Sequence, residues 1–102
     1  MNENELFTLL STLKYPVAYD HFTTKTVSIP FILYRNTDAQ TFKADDINYN
    51  VSKQYIVDLA TAKKEPDVES SLEKLFDDNY LPYEKSEDYI ESEHIYQIRY
   101  FI

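Results

Sequence analysis

Apolar and polar positions change period several times along the chain, and each change predicts an element. Leu6, Leu9, Leu10 and Leu13 recur at the spacing of one helix face, with Asn2 or Asn4 available as N-cap and Pro16 barring continuation. Val17-Ala18-Tyr19 reads as a short strand, and the polar, threonine-rich stretch from His21 to Ser28 as a loop or irregular edge. Pro30-Phe31-Ile32-Leu33-Tyr34 is apolar on both alternating faces. That suits a strand covered on two sides, with Pro30 at its start, where the missing donor is tolerated. Asn36-Thr37-Asp38 reads as a turn, and Gln40 to Asp46 as a ragged strand or projecting loop.

From Tyr49 the alternation becomes clean. Tyr49, Val51, Tyr55, Val57 and Leu59 share one face, interrupted only by Lys53, while Asn50, Ser52, Gln54, Asp58 and Ala60 share the other with Ile56. This pattern predicts a long strand closed by Lys63-Lys64-Glu65. Pro66 then opens a second helix, with Val68, Leu72, Leu75 and Phe76 inward and Asp67, Glu69, Glu73 and Lys74 outward. Asp77-Asp78-Asn79 ends it. Tyr80 to Glu84 reads as a strand, Lys85 to Asp88 as a polar turn, and Tyr89 to Ile102 as a last strand. The apolar face of that strand carries Ile90, His94, Tyr96, Ile98, Tyr100 and Ile102. The order helix-strand-strand-strand-helix-strand-strand predicts one α+β domain over residues 1–102. Its sheet is mixed and largely antiparallel, with about four or five strands and two helices packed on it.

Composition narrows the chemistry. Glycine is absent, so phosphate-cradling loops, dinucleotide-binding turns and nucleophile elbows are excluded in their usual forms, and Asn and Asp are expected to make the turns. Cysteine is absent too, which removes disulfides, thiolate metal sites and thiol nucleophiles. Eighteen acidic residues against ten basic ones give a net charge of −8, so neutralising a phosphate backbone is not expected. The ten tyrosines suit half-buried sheet faces and protein interfaces equally. No apolar run is long enough to span a membrane, and the acidic opening Met1-Asn2-Glu3-Asn4-Glu5 is unlike a secretory signal.

Candidate sites are sparse. On a strand, Glu91 and Glu93 would point away from His94, so no metal site is expected there. Asp45-Asp46 and Asp77-Asp78 lack the spacing of a calcium loop, and no serine–histidine arrangement stands out. No cofactor and no catalytic residue is expected. Phe42, with Lys43, Asp45 and Asp46 around it, makes least sense as core and reads either as a subunit or partner contact or as a ring folded back on the sheet.

Residues Ala44-Asp45-Asp46, Tyr49, Tyr55, Val57-Asp58-Leu59, Lys63-Lys64, Glu69 and Leu72-Glu73 resemble the middle of small phage neck proteins. Tyr80-Leu81-Pro82-Tyr83, Tyr89-Ile90-Glu91-Ser92-Glu93 and Ile95-Tyr96-Gln97 extend the likeness to the tail-completion, or tail-to-head joining, proteins of long-tailed bacteriophages. The resemblance implies a structural virion protein at the head–tail junction, assembled in a host cytoplasm. It also implies a hexameric ring that caps the tail tube and meets the head connector, with subunits monomeric when isolated. DNA would only pass through the lumen, which an acidic lining would keep from sticking. The competing expectations are a stopper at the head portal and a small acidic host-directed binding module.

Overall fold

Asn2 starts the first helix. Its side chain accepts from the Glu5 N–H and the Glu5 carboxylate accepts from the Asn2 N–H, both at 2.9 Å, a capping box that satisfies two end donors of α1 (Glu3–Ser11). Glu3 and Glu5 also place negative charge at the positive end of the helix dipole. Replacing Asn2 by alanine is expected to cost about 1 kcal/mol, whereas Asn2→Asp keeps the cap. Urea melts of the two variants check this, with Asn4→Ala as the neutral control.

The structure is a computed structural model that describes residues 2–23, 27–36 and 55–102. After α1 come β1 (Val17–Tyr19), β2 (Phe31–Asn36), β3 (Tyr55–Thr61), α2 (Pro66–Asp78), β4 (Glu84–Ile90) and β5 (Ile95–Phe101). They build a five-stranded sheet in the order β1-β2-β3-β5-β4. β1 runs parallel to β2, with Val17 opposite Ile32 and Tyr19 opposite Tyr34, and every other pairing is antiparallel. The α+β class and the mixed, largely antiparallel sheet are as the residue pattern predicts. Of the long strand expected from Tyr49, the part from Tyr55 onward is seen; Tyr49, Val51 and Lys53 lie outside the described residues.

Both described helices cover the same face of the sheet. Leu6 and Leu10 of α1 and Leu72 and Phe76 of α2 are fully buried against Ile32, Val57, Leu59, Ile98 and Tyr100. By register, the opposite face carries Phe31 and Leu33 of β2, Asp58 and Ala60 of β3, and Gln97 and Arg99 of β5. Phe31 and Leu33 are only half-buried, so β2 is fully dry on one side and not on two.

The C-terminal hairpin differs from expectation. Lys85 to Asp88 is the middle of β4 rather than a turn, and the turn falls at residues 91–94. β4 is an edge strand whose residues are exposed from Glu84 to Tyr89, so no apolar alternation marks it. Charged side chains along such an edge discourage unwanted pairing. Ile90 consequently pairs with Ile95 on the open face, and His94 leaves the strand.

The turns also correct an expectation. Among the described residues four adopt positive φ, Lys14 (67°), Asp20 (67°), Tyr80 (58°) and His94 (56°), and of these only Asp20 is of the Asn/Asp type. Tyr80 occupies the left-handed position after α2 that glycine usually fills. The Leu81 N–H donates to the Phe76 carbonyl and the Tyr80 N–H to the Asp77 carbonyl, a Schellman motif. Leu81 packs on the core beside Phe76, which keeps the left-handed turn in place despite its steric cost.

Candidate functional site

Phe42, Lys43, Asp45 and Asp46, the contact residues singled out from the sequence, lie outside the described residues. The histidines are placed apart. His21 follows β1 with its Nδ1 at 3.2 Å from Asp20, and His94 ends the β4–β5 turn with its Nδ1 at 3.4 Å from the Tyr89 hydroxyl. Glu91 and Glu93 share that turn, so the strand-face argument does not apply to them. Among the described residues no three His, Asp or Glu side chains group as metal ligands. Asp78 pairs with Lys74 at 3.0 Å on the last turn of α2.

A cluster that the residue pattern missed lies between α2 and the hairpin. Glu69, expected to point outward, is only 3% exposed. Its Oε1 lies 2.9 Å from Lys85 Nζ and accepts a hydrogen bond from Lys64 Nζ at 3.1 Å, and its Oε2 lies 2.9 Å from the same Lys64 Nζ off the hydrogen-bond direction. Lys85 also reaches Glu73 at 2.7 Å, and the buried Tyr100 hydroxyl donates to the same Glu73 oxygen at 2.7 Å. Lys64 completes the chain at 2.6 Å from Glu87 on β4. The lysines come from the loop before α2 and from β4, so the network ties the helix to an edge strand that contributes little apolar surface.

Its electrostatics suit a clasp rather than proton transfer. Burial works to raise the Glu69 and Glu73 carboxyls, but the hydrogen bonds from Lys85, with Lys64 on Glu69 and Tyr100 on Glu73, outweigh it and hold both below the ordinary 4.5. Burial works to lower the Lys85 ammonium, and its contacts with Glu73 and Glu69 push it well above the ordinary value instead. Burial, then the bond to Glu73, pushes the Tyr100 phenol far up. Every shift moves away from neutrality, and a general acid or base works best near the ambient pH.

The second candidate is the open sheet face. Two adjoining apolar hollows share Phe31, Leu33, Ile95 and Glu93; one continues over Ala60 to Ile90, the other to Phe22 and Ile29. Ala60 makes the floor because its short side chain lies beside Phe31 on the neighbouring strand. Arg99 and Asp58 form a two-pronged pair across the face at 2.8 and 3.2 Å, so their charges satisfy one another. The hydrogen bond to Asp58 pushes the Arg99 guanidinium up, keeping the pair ionised.

Fold and site together define a small α+β protein with one sheet face covered by helices and the other left open among the described residues. Compared with models of protein families, with curated proteins and with solved structures, the chain matches none. Among the described residues no helix is long and apolar enough to cross a membrane.

Proposed function

We propose that the chain is a structural, non-catalytic component of the head–tail junction of a long-tailed phage or prophage. In this reading it caps the tail tube, assembles as a hexameric ring and contacts the tail tube on one side and the head connector on the other. The observation that carries the reading is the sheet face that is left open among the described residues, while both described helices are spent on the opposite face. Exposed apolar faces are surfaces for neighbours such as the tail tube or the head connector, and a head-to-tail interface between copies elsewhere on the subunit closes into a ring when its rotation suits. The ionic clasp supports the non-catalytic part, because its groups stay in their resting charge states around neutral pH. The resemblance of the tyrosine-rich middle and C-terminal segments to tail-completion proteins supplies the location.

Immunolabelling of intact particles tests it directly. Label at the head–tail junction, together with tails of abnormal length in particles lacking the protein, is the expected result. DNA-leaking heads with normal tails would instead indicate a stopper, and label absent from particles would indicate a host-directed binding module.

A further inference from the structure

We propose that the hollows on the open sheet face receive a short segment of another protein, in which a lysine or arginine stands between two apolar side chains. This rests on the geometry of the face and not on the virion reading above.

The chemistry of the segment follows from what lines the hollows. Both are mainly apolar, floored by Phe31 and Leu33 and walled by Ile95, and both are bordered by Glu93; Asp58 and Gln97 also line one, and His21, which pairs with Asp20, the other. Glu93 makes no ion pair or side-chain hydrogen bond among the described residues, in contrast to Asp58, which Arg99 neutralises. An unpaired carboxylate shared by two apolar hollows selects a cation flanked by two apolar groups. One hollow takes each apolar group, and the ammonium or guanidinium meets Glu93 between them. Ala60 sets the depth available for the apolar side chain, since any larger residue would raise the floor.

Judged on the described residues, a second copy of the chain is the poorer occupant: its Leu13-Lys14-Tyr15 has the required order, but both apolar side chains pack on its own core. Its exposed large apolar residues among those described are Phe7, Tyr19, Ile29, Tyr80 and Tyr89. None has a lysine or arginine beside it in sequence, and Tyr19 and Tyr89 each adjoin an aspartate. Tyr80 is the most exposed of these at 91%, but Asp77 and Asp78 precede it closely and Glu84 follows. Seating it beside Glu93 would bring like charges together between molecules that each carry −8.

The test uses the full chain and a synthetic peptide of alternating leucine and lysine, at about 0.15 M salt so that diffuse attraction is screened. Binding is followed by amide chemical shifts, with serine-for-leucine and glutamate-for-lysine peptides as comparisons. The expected result is saturable binding of the leucine–lysine peptide alone, with shifts centred on β2 and on Ile95. Glu93→Lys and Ala60→Leu are each expected to weaken it about tenfold or more, and Asp77→Lys to leave it unchanged. Thermal melts verify that the variants fold; if Ala60→Leu does not, Glu93→Lys at the exposed turn still decides. Equal weakening by Asp77→Lys, or shifts centred on α2, would overturn the proposal. So would self-association without peptide that Glu93→Lys abolishes, or protection of the face from solvent in the free monomer.

Discussion

Replacing Phe76 with alanine is expected to remove about 3–5 kcal/mol of folding stability, a large part of what a domain of this size holds. Phe76 is fully buried, and its ring meets Tyr100 at 5.4 Å and Tyr83 at 5.7 Å between ring centres, both in tilted or edge-on geometry. Tyr83 and Tyr100 contact each other as well, so the three rings close a triangle between α2 and the sheet. Truncation opens a cavity there that the helix cannot collapse into, because its C-terminal Schellman turn and the clasp through Glu69 and Glu73 fix it at two other points. Phe76→Leu keeps most of the volume and is expected to cost about 1.5 kcal/mol or less. Phe31→Ala on the open face should also cost clearly less than Phe76→Ala, since that ring is half-buried to begin with. Urea melts of the three variants check the order; a Phe76→Ala protein as stable as Phe31→Ala would mean that α2 is not anchored by this triangle.

How much of this was legible depends on where burial leaves a mark on the residue pattern. Leu6 and Leu10, Val57 and Leu59, and Leu72 and Phe76 are inward at helix or strand periods, so the elements and their buried faces follow from spacing alone. β4 is not legible because an edge strand exposed along its length has no apolar period to read, and Lys85-Ser86-Glu87-Asp88 looks like turn chemistry. Glu69 was placed outward because a glutamate is almost never fully buried unless paired. Its partners, Lys64 and Lys85, lie in other elements, one of them the misread strand, so the pairing becomes visible only once β4 sits beside β5. The nearest signal in the sequence was position: Glu69 lies one turn before Glu73 and three residues before Leu72, on the side of α2 that faces the sheet. The open face had a fainter signal still. Phe31 and Leu33 alternate with Ile32 and Tyr34, a pattern of two apolar faces that does not say which face a helix will cover.

The clasp leads to the second large effect, expected from Lys85→Met. Methionine keeps much of the aliphatic stem that packs near the Tyr100 ring, whose centre lies 5.9 Å from Lys85 Nζ, but removes the charge shared by Glu69 and Glu73. Glu69 is then left with Lys64, and Glu73 with the Tyr100 hydroxyl, while the two carboxylates repel. Leaving a buried carboxylate underpaired costs about 3–5 kcal/mol in a dry site. Here the loss at neutral pH is expected at about 2–3 kcal/mol, because Glu73 is partly exposed and Lys64 still neutralises Glu69. Removing the carboxylate instead is cheaper, since in Glu69→Met each lysine keeps one partner, Lys85 with Glu73 and Lys64 with Glu87. The double variant Lys85→Met with Glu69→Met should recover part of the stability lost by Lys85→Met alone, as apolar replacement of a buried ion pair commonly does. The pH dependence separates this from simple loss of packing. Glu69 and Glu73 sit below their ordinary 4.5 in the folded protein, so their contribution is present above that pH and is lost as the pH falls through the lowered folded values. Lys85 sits above its ordinary 10.5, so its contribution is present below that pH and fades as the pH rises through the raised folded value. In Lys85→Met the two carboxyls lose the charge that lowers them, so the gap to the parent protein should be widest near neutral pH and shrink on acidification. A gap that stays constant from pH 7 to about pH 3 would assign the loss to packing and not to charge.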